Sequence, residues 1–186
     1  MSKIDELVAL WEGYLATPLP PGIAPIQRVV FGVYDKTDEL RLRLQVEAFE
    51  TVTRKMAHNW IHVDLTDAFP KWMMANEYRE AYFTSPNDLA GYPTGELDDF
   101  VKHLVHHVAN VLEENQGPAD VVALSGVGAL FGLARVSTIV EQVKHAVRGR
   151  LLVLFPGEYR VSDNSYRLLD ARDGWNYLAQ PLVVRN

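Results

Sequence analysis

Two kinds of hydrophobic patterning alternate along the chain. Apolar runs of strand length occur at 28–34, 119–126 and 151–155, with a further strand candidate at 60–65. Between them, apolar residues recur every three or four positions over about 38–57, 96–115 and 135–147, which is the spacing of amphipathic helices. Apolar runs without alternation are typical of strands that helices cover on both faces. The pattern therefore predicts an α/β fold with a mixed, mostly parallel sheet flanked by helices.

The two ends of the chain differ from this core. Residues 1–16 have apolar positions at helical spacing, and four prolines then hold residues 17–25 extended. We predict a single domain, with a helical arm and proline-rich connector over 1–25, an α/β core over 26–158 and a β-rich tail of edge strands or hairpins over 159–186. Apolar residues of the arm would pack on the same chain or on a neighbouring copy, so a homodimer is one expectation; they are Trp11, Tyr14 and Leu15.

Composition narrows the class of protein. The 186 residues include 18 Lys+Arg and 24 Asp+Glu, and this net charge of −6 argues against a general phosphate-binding surface. There is no cysteine, which excludes disulfides, thiolate metal sites and a thiol nucleophile. No targeting segment is visible, and no apolar run reaches the length needed to cross a bilayer. We expect a cytoplasmic protein without membrane contact.

A glycine-rich segment at 125–137 lies between a predicted strand and a predicted helix, where nucleotide-binding folds place their phosphate loops. Its chemistry is wrong for that role. Gly132 is followed by Leu-Ala rather than by the Lys and Ser/Thr of a P-loop, and Gly126 and Gly128 match only the first part of a dinucleotide fingerprint. We interpret these two glycines as tight turns that let Leu130, Phe131 and Leu133 pack or present an apolar contact surface.

Two other functions stay open on the residues alone. A degenerate nucleotide-binding domain would place Gly126, Gly128 and Arg135 around a phosphate. The only local basic cluster, between Arg135 and Arg150, suits the negative end of a helix dipole, and it also offers candidates for DNA contact. Those candidates are Lys144, Arg148 and Arg150.

The remaining polar residues do not form a complete catalytic pattern. His103, His106 and His107 have helical spacing but lack the Glu of a zinc-protease motif, so we expect them at the polar edge of their helix. Asp64 ends a predicted strand, where it would hold a metal or ligand or cap the next helix. Ser125 has no G-x-S-x-G context and no acid or histidine near it in sequence, and we interpret His62 as a structural strand residue.

The C-terminal half carries a resemblance to a known family. Its parts are a glycine-rich turn entering a helix, a strand leading to Pro-Gly-x-Tyr, and a final stretch around Asn-Tyr-x-Ala. By its residue pattern alone the Pro-Gly-x-Tyr part is a turn into a hairpin. The matching residues are Gly126, Gly128, Phe131, Arg135, Ser137, Pro156, Gly157, Glu158, Tyr159, Arg167, Leu168, Asp170, Asn176, Tyr177 and Ala179. In this order they resemble the BrxB family of BREX (bacteriophage exclusion) phage-defence systems.

The resemblance implies a small cytoplasmic component of bacterial defence that acts beside a DNA methyltransferase, a large ATPase and a PglZ-type protein. It implies no enzymatic activity and no cofactor. We expect a non-catalytic adaptor, needed for phage restriction and host DNA methylation, that binds other BREX proteins, first of all a PglZ-type protein, and binds DNA only indirectly or weakly. The candidate partner-binding residues are Gly126, Gly128, Leu130, Phe131, Arg135, Pro156, Gly157, Glu158 and Tyr159.

Overall fold

The computed structural model describes residues 2–86, 96–174 and 179–184. The helices in these ranges are α1 (Lys3–Leu15), α2 (Glu39–Lys55), α3 (Ala68–Ala75), α4 (Arg79–Thr84), α5 (Glu96–Glu114) and α6 (Val136–Val143). The strands are β1 (Val29–Tyr34), β2 (Asn59–Asp64), β3 (Asp120–Ser125), β4 (Arg150–Arg160), β5 (Ser165–Leu168), β6 (Ala171–Gly174) and β7 (Gln180–Val183). This order of elements confirms the predicted α/β class.

Five strands form a parallel sheet in the order β2-β3-β4-β1-β7. The two central strands, β1 and β4, are apolar and buried along the whole of their parallel pairing, which is why their sequences show no alternation. Beyond this pairing, β4 continues into an antiparallel β5–β6 hairpin. The predicted mixed, mostly parallel sheet is therefore confirmed, and the tail supplies both a hairpin and the parallel edge strand β7.

Helices cover both faces of the sheet. Side chains alternate along β4, with Leu152 and Leu154 in one core and Leu151, Val153 and Phe155 in the other. The first core contains buried residues of α1 and α2, and the second contains those of α5 and α6. Each face of the sheet thus buries the apolar stripe of two amphipathic helices.

The N-terminal helix is a layer of this fold rather than a projecting arm. Ser2 caps it, accepting a hydrogen bond from the Asp5 amide while the Asp5 carboxylate accepts one from the Ser2 amide. Ile4, Leu7 and Trp11 are fully buried, and Trp11 Nε1 donates to Thr53 Oγ1 of α2 at 2.8 Å. Of the three residues named from the sequence, Trp11 and Leu15 are buried on their own chain and Tyr14 is half-buried, so packing on the same chain is observed, and a homodimer stays a prediction.

The strand predicted at 151–155 does not stop at Pro156-Gly157. Strand β4 runs on to Arg160, and the prediction of a turn at this point is wrong. Pairing with β3 ends at Val153, so the missing N–H of Pro156 breaks no bond to that neighbour. Pro156 pairs with Tyr34 of β1, and Gly157 already pairs with Leu168 of β5. The Pro-Gly pair is therefore where β4 passes from the parallel sheet into the hairpin.

Smaller differences concern element ends. The helix predicted over 135–147 is α-helical to Val143 and then tightens into a 3-10 turn over Lys144–Ala146. Most of the loop predicted at 85–95 lies outside the described residues, as do Asn176 and Tyr177 of the final motif. Within the described ranges, no helix is long and apolar enough to cross a membrane.

Candidate functional site

The glycine-rich segment begins at the carboxyl edge of the sheet, directly after β3. Gly126 has a left-handed backbone with φ of 69°, and a Cβ there would lie 2.3 Å from Thr66 Oγ1 and 2.7 Å from Asp64 Oδ1. Glycine is thus required both by conformation and by space. The β2–α3 turn packs directly against Gly126, so the close approach that this glycine allows is to another part of the same chain.

A 3-10 turn over Val127–Leu130 follows, and it is anchored in the core. Val127 and Leu130 are buried, and a Cβ on Gly128 would approach Pro156 Cγ to 3.2 Å. Leu130 therefore belongs to the interior rather than to a contact surface. The two glycines allow the ends of β2, β3 and β4 to pack closely together, and this packing fixes the position of residues 131–135.

Those next residues form one wall of a surface groove of about 480 Å³. Phe131 is 44% exposed although it is a large apolar side chain, and its neighbour Gly132 reverses the chain at φ of 77°. Helix α5 and the β5–β6 hairpin form the other walls. The lining residues are Asp98, Val101, Phe131, Gly132, Leu133, Ala134, Arg135, Thr138, Leu168 and Ala171.

The groove is apolar with a charge on two of its walls. Arg135 precedes α6, Asp98 lies on α5, and both side chains are exposed. The residues between them are mostly aliphatic or aromatic. An apolar centre with a polar rim is the usual composition of a protein-binding surface. This groove is the place where the structure brings Phe131 and Arg135, two of the predicted partner-binding residues, together.

The Pro-Gly-Glu-Tyr residues lie elsewhere. A Cβ on Gly157 would lie 1.9 Å from the Arg167 carbonyl oxygen, so the hairpin can pair closely only with glycine there. Tyr159 donates from its hydroxyl to Asn164 Oδ1 at 2.6 Å. Glu158 is exposed, and with Tyr159 it lines a separate cavity of about 170 Å³ beside Asp35. The predicted partner-binding residues therefore divide between a groove and a structural corner.

A polar pair that the sequence did not indicate lies on the face of the sheet covered by α2. His62 Nε2 and Ser125 Oγ are 2.8 Å apart, because β2 and β3 are parallel neighbours whose pairing places Asp64 beside Ser125. The two residues are 63 positions apart, so no local motif joins them. Ser125 has no histidine near it in sequence, but the pairing of β2 and β3 brings His62 beside it.

This pair lacks the carboxylate that orients the histidine in serine hydrolases. Asp64 accepts a hydrogen bond from the Thr66 amide at 2.9 Å and so stabilises the turn after β2. The residue at the N-cap of α3 is Asp67, so the alternative in which Asp64 caps the next helix is wrong. Desolvation acts to raise the pKa of Asp64, but the Thr66 hydrogen bonds outweigh it and lower the pKa. Among the described residues, no carboxylate is hydrogen-bonded to His62. Ser125 is also only 5% exposed, which restricts a substrate's access to it.

The basic cluster does not form one surface. Lys144 is paired with Glu141, and Arg148 is exposed, whereas Arg150 is only 3% exposed. Of the predicted DNA contacts, Arg148 is the most accessible and Arg150 is inside the fold. His103, His106 and His107 are exposed along α5, and no metal-binding group of His, Asp and Glu side chains is found in the described ranges.

Comparison with protein families identifies the chain's family. The family model described as "BREX protein BrxB" matches residues 61–180, which is more than half of the chain and includes most of β2, the glycine-rich turn, the groove and the hairpin. No curated protein and no solved structure matches the chain. The chain therefore belongs to the BrxB family of BREX proteins, components of bacteriophage-exclusion systems.

Proposed function

We propose that this protein is a non-catalytic assembly subunit, needed for BREX phage restriction and for host DNA methylation, and that a PglZ-type protein docks in the groove beside Phe131. Binding to other BREX proteins is how such a subunit acts. DNA is then reached through the partner rather than along this acidic chain. The protein works in the cytoplasm, where phage DNA is met.

The exposure of Phe131 is the observation that supports this proposal. A large aromatic side chain is 44% exposed at the end of a turn whose preceding residue, Leu130, is fixed in the core. Rigidly presented aromatic residues with an arginine nearby are the usual anchors of protein interfaces, and here Arg135 lines the same groove. The groove also lies within the residues matched to the family.

Phe131→Ser tests the groove, and Leu44→Ser is its matched control. Leu44 is 85% exposed on α2, outside the matched residues. We expect Phe131→Ser to weaken co-purification with the PglZ-type protein at least about tenfold, the loss of one interface anchor, and to lower restriction with it. Leu44→Ser should change neither. Both variants should keep the wild-type melting temperature, since each replaces an exposed side chain.

Two results would contradict the proposal at different levels. Equal co-purification of the two variants would show that the groove is not the docking site. A wild-type chain that stays alone in cells expressing every BREX component would contradict the assembly function itself.

A further inference from the structure

A second cavity, of about 420 Å³, lies at the opposite, amino-terminal edge of the parallel sheet. Its base consists of residues at or just before the starts of four neighbouring strands, and the proline-rich connector after α1 covers it. The lining residues are Leu15, Pro18, Leu19, Pro20, Pro21, Arg28, His58, Pro118 and Arg150. Neither Asp nor Glu is among them.

Arg150 is the unusual member of this set because it is buried without a counterion. Its side chain is 3% exposed, its guanidinium lies 5.6 Å from the centre of the Tyr14 ring, and it donates to the Thr17 carbonyl at 3.3 Å. Its Nε is buried with no hydrogen-bond partner, and within the described ranges no carboxylate forms an ion pair with it. An arginine stays protonated inside a protein, so this charge is uncompensated.

Contact with the end of α1 explains only part of this arrangement. The negative end of a helix dipole favours a cation, and the bond to Thr17 uses one of the five guanidinium N–H groups. These contacts leave Nε of Arg150 without a hydrogen-bond acceptor. Buried polar groups are almost always hydrogen-bonded, so an unpaired N–H on a buried cation indicates a missing acceptor.

A second arginine adds to the positive charge of the cavity, and a histidine lies beside it. Arg28 lines it, with one N–H donated to the Arg148 carbonyl at 2.6 Å and the rest of its fork available. His58 Nδ1 lies 3.1 Å from the Ala119 carbonyl, which fixes the proton on Nδ1 and leaves Nε2 to face other groups. Burial and the Arg150 charge lower the pKa of His58, which is the response expected of an imidazole beside an unneutralised cation.

We propose that this cavity binds a small phosphate monoester, with Arg28 and Arg150 donating to the phosphate, His58 at its edge and the proline-rich walls against the rest of the molecule. Two guanidinium groups suit the fork geometry and double charge of a phosphate better than the single charge of a carboxylate. The volume is that of a site for a small ligand. A duplex backbone is too wide to bring a phosphate to Arg150, which is buried.

This proposal does not depend on the groove or on a PglZ-type partner. It also differs from a phosphate loop at Gly126 and Gly128, because it uses the other edge of the sheet. Ligand binding here would join α1, the connector and the starts of β1 and β4, and it would stabilise the folded chain by mass action.

Calorimetry on the isolated full chain at constant ionic strength tests it, with inorganic phosphate, adenosine monophosphate and acetate as the probes. Phosphate should bind at millimolar concentration or below and raise the melting temperature, and it should shift the ring resonances of His58. Adenosine monophosphate binding at least about tenfold more tightly than phosphate would place the organic part against the prolines, whereas equal affinities would overturn the monoester and identify inorganic phosphate as the ligand.

Variants locate the binding. Arg28→Gln should weaken phosphate binding at least about tenfold, the typical loss of a charge-assisted hydrogen bond. Arg148→Gln removes a neighbouring exposed cation that does not line the cavity, and it should leave the affinity unchanged. The proposal is overturned if no phosphate compound binds, if acetate binds as well as phosphate, or if the two variants weaken binding equally.

Discussion

The two edges of the parallel sheet differ in how closely the chain packs there. At the carboxyl edge, the turns after β2 and β3 press so closely against each other that Gly126 has no room for a methyl group, because an added Cβ would collide with Thr66 and Asp64. At the amino edge, the strand starts leave a cavity with two arginines and no acid among its lining residues. Parallel α/β proteins usually bind ligands at the carboxyl edge. In this chain, the carboxyl edge is closed at Gly126, and the opposite edge holds the unpaired charge.

The difference shows that a glycine motif must be judged by what fills the space around it. A phosphate loop keeps its glycines so that a ligand can approach the backbone. Here Gly126 and Gly128 admit other parts of the same chain, Thr66 and Pro156. The same residue type at the same place in the fold therefore serves packing, and the turn it allows carries Phe131 to the surface.

The largest expected effect comes from Gly126→Ala. The variant combines a strained left-handed backbone with a Cβ 2.3 Å from Thr66 Oγ1, so we expect it to lower the free energy of unfolding by about 3 kcal/mol or more. Gly132→Ala is the control, since Gly132 has φ of 77° but an added Cβ there meets nothing within 4 Å. It should cost only the backbone strain, about 1–2 kcal/mol. Urea unfolding measures both values.

Equal losses in the two variants would break the comparison. They would mean that the turns at the carboxyl edge can separate to admit a methyl group, and that this edge is not closed by packing. A large difference would show that contact with Thr66 and Asp64, and not the left-handed conformation alone, requires glycine at 126.

Local patterns predicted much of this fold. The apolar runs of β1, β3 and β4 indicated a buried parallel sheet because both faces of these strands are covered, and the stripe of α5 includes the buried residues Phe100, Leu104, Val108 and Leu112. Ser2 caps α1 through a hydrogen bond from the Asp5 amide, only three positions along the chain. Helix periodicity and capping depend on residues a few positions apart, so they can be seen in one sequence.

Features that depend on strand register could not be seen in this way. The approach of His62 to Ser125 requires β2 and β3 to be neighbours in one particular alignment. Pro156 is tolerated in β4 because β3 has already ended beside it, and that end is set by another part of the chain. The burial of Arg150 likewise depends on the connector that crosses it. The sequence shows that Arg150 lies next to an apolar strand, but it does not show that the connector covers this side chain.

Ser125→Ala is expected to have a smaller effect, and it tests whether the carboxyl edge is structural or catalytic. Removing the hydroxyl breaks the bond to His62, which should lower the free energy of unfolding by about 1 kcal/mol. Plaque assays in cells with the complete BREX system should show unchanged restriction, because the proposed function uses no nucleophile. His62→Gln, which keeps a hydrogen-bonding side chain, is the second variant.

Loss of restriction in both variants, with the melting temperature and partner binding preserved, would contradict the non-catalytic assignment. It would make Ser125 and His62 a working pair despite the missing acid. Retained restriction in both would agree with a carboxyl edge whose polar groups serve the fold.

The smallest expected change in stability is that of Arg150→Met, at the amino edge. Methionine keeps the unbranched apolar part of the side chain but not the guanidinium over the Tyr14 ring, and it removes a buried charge that has no ion-pair partner among the described residues. Loss of the contacts with Thr17 and Tyr14 and relief from desolvation should roughly cancel, so we expect the free energy of unfolding to change by no more than about 1 kcal/mol without added ligand. Added phosphate should stabilise the wild type and leave the variant unaffected.

A loss of about 3 kcal/mol or more in the absence of phosphate would show that the contacts of Arg150 stabilise the fold without any ligand, since a loss of this size is typical when a buried charged interaction is broken. The residues at both edges of the sheet would then serve the stability of the fold. Retained stability together with a lost phosphate response would show that Arg150 serves ligand binding rather than stability. Gly126, at the opposite edge of the sheet, would then differ from it, because that glycine is required by packing.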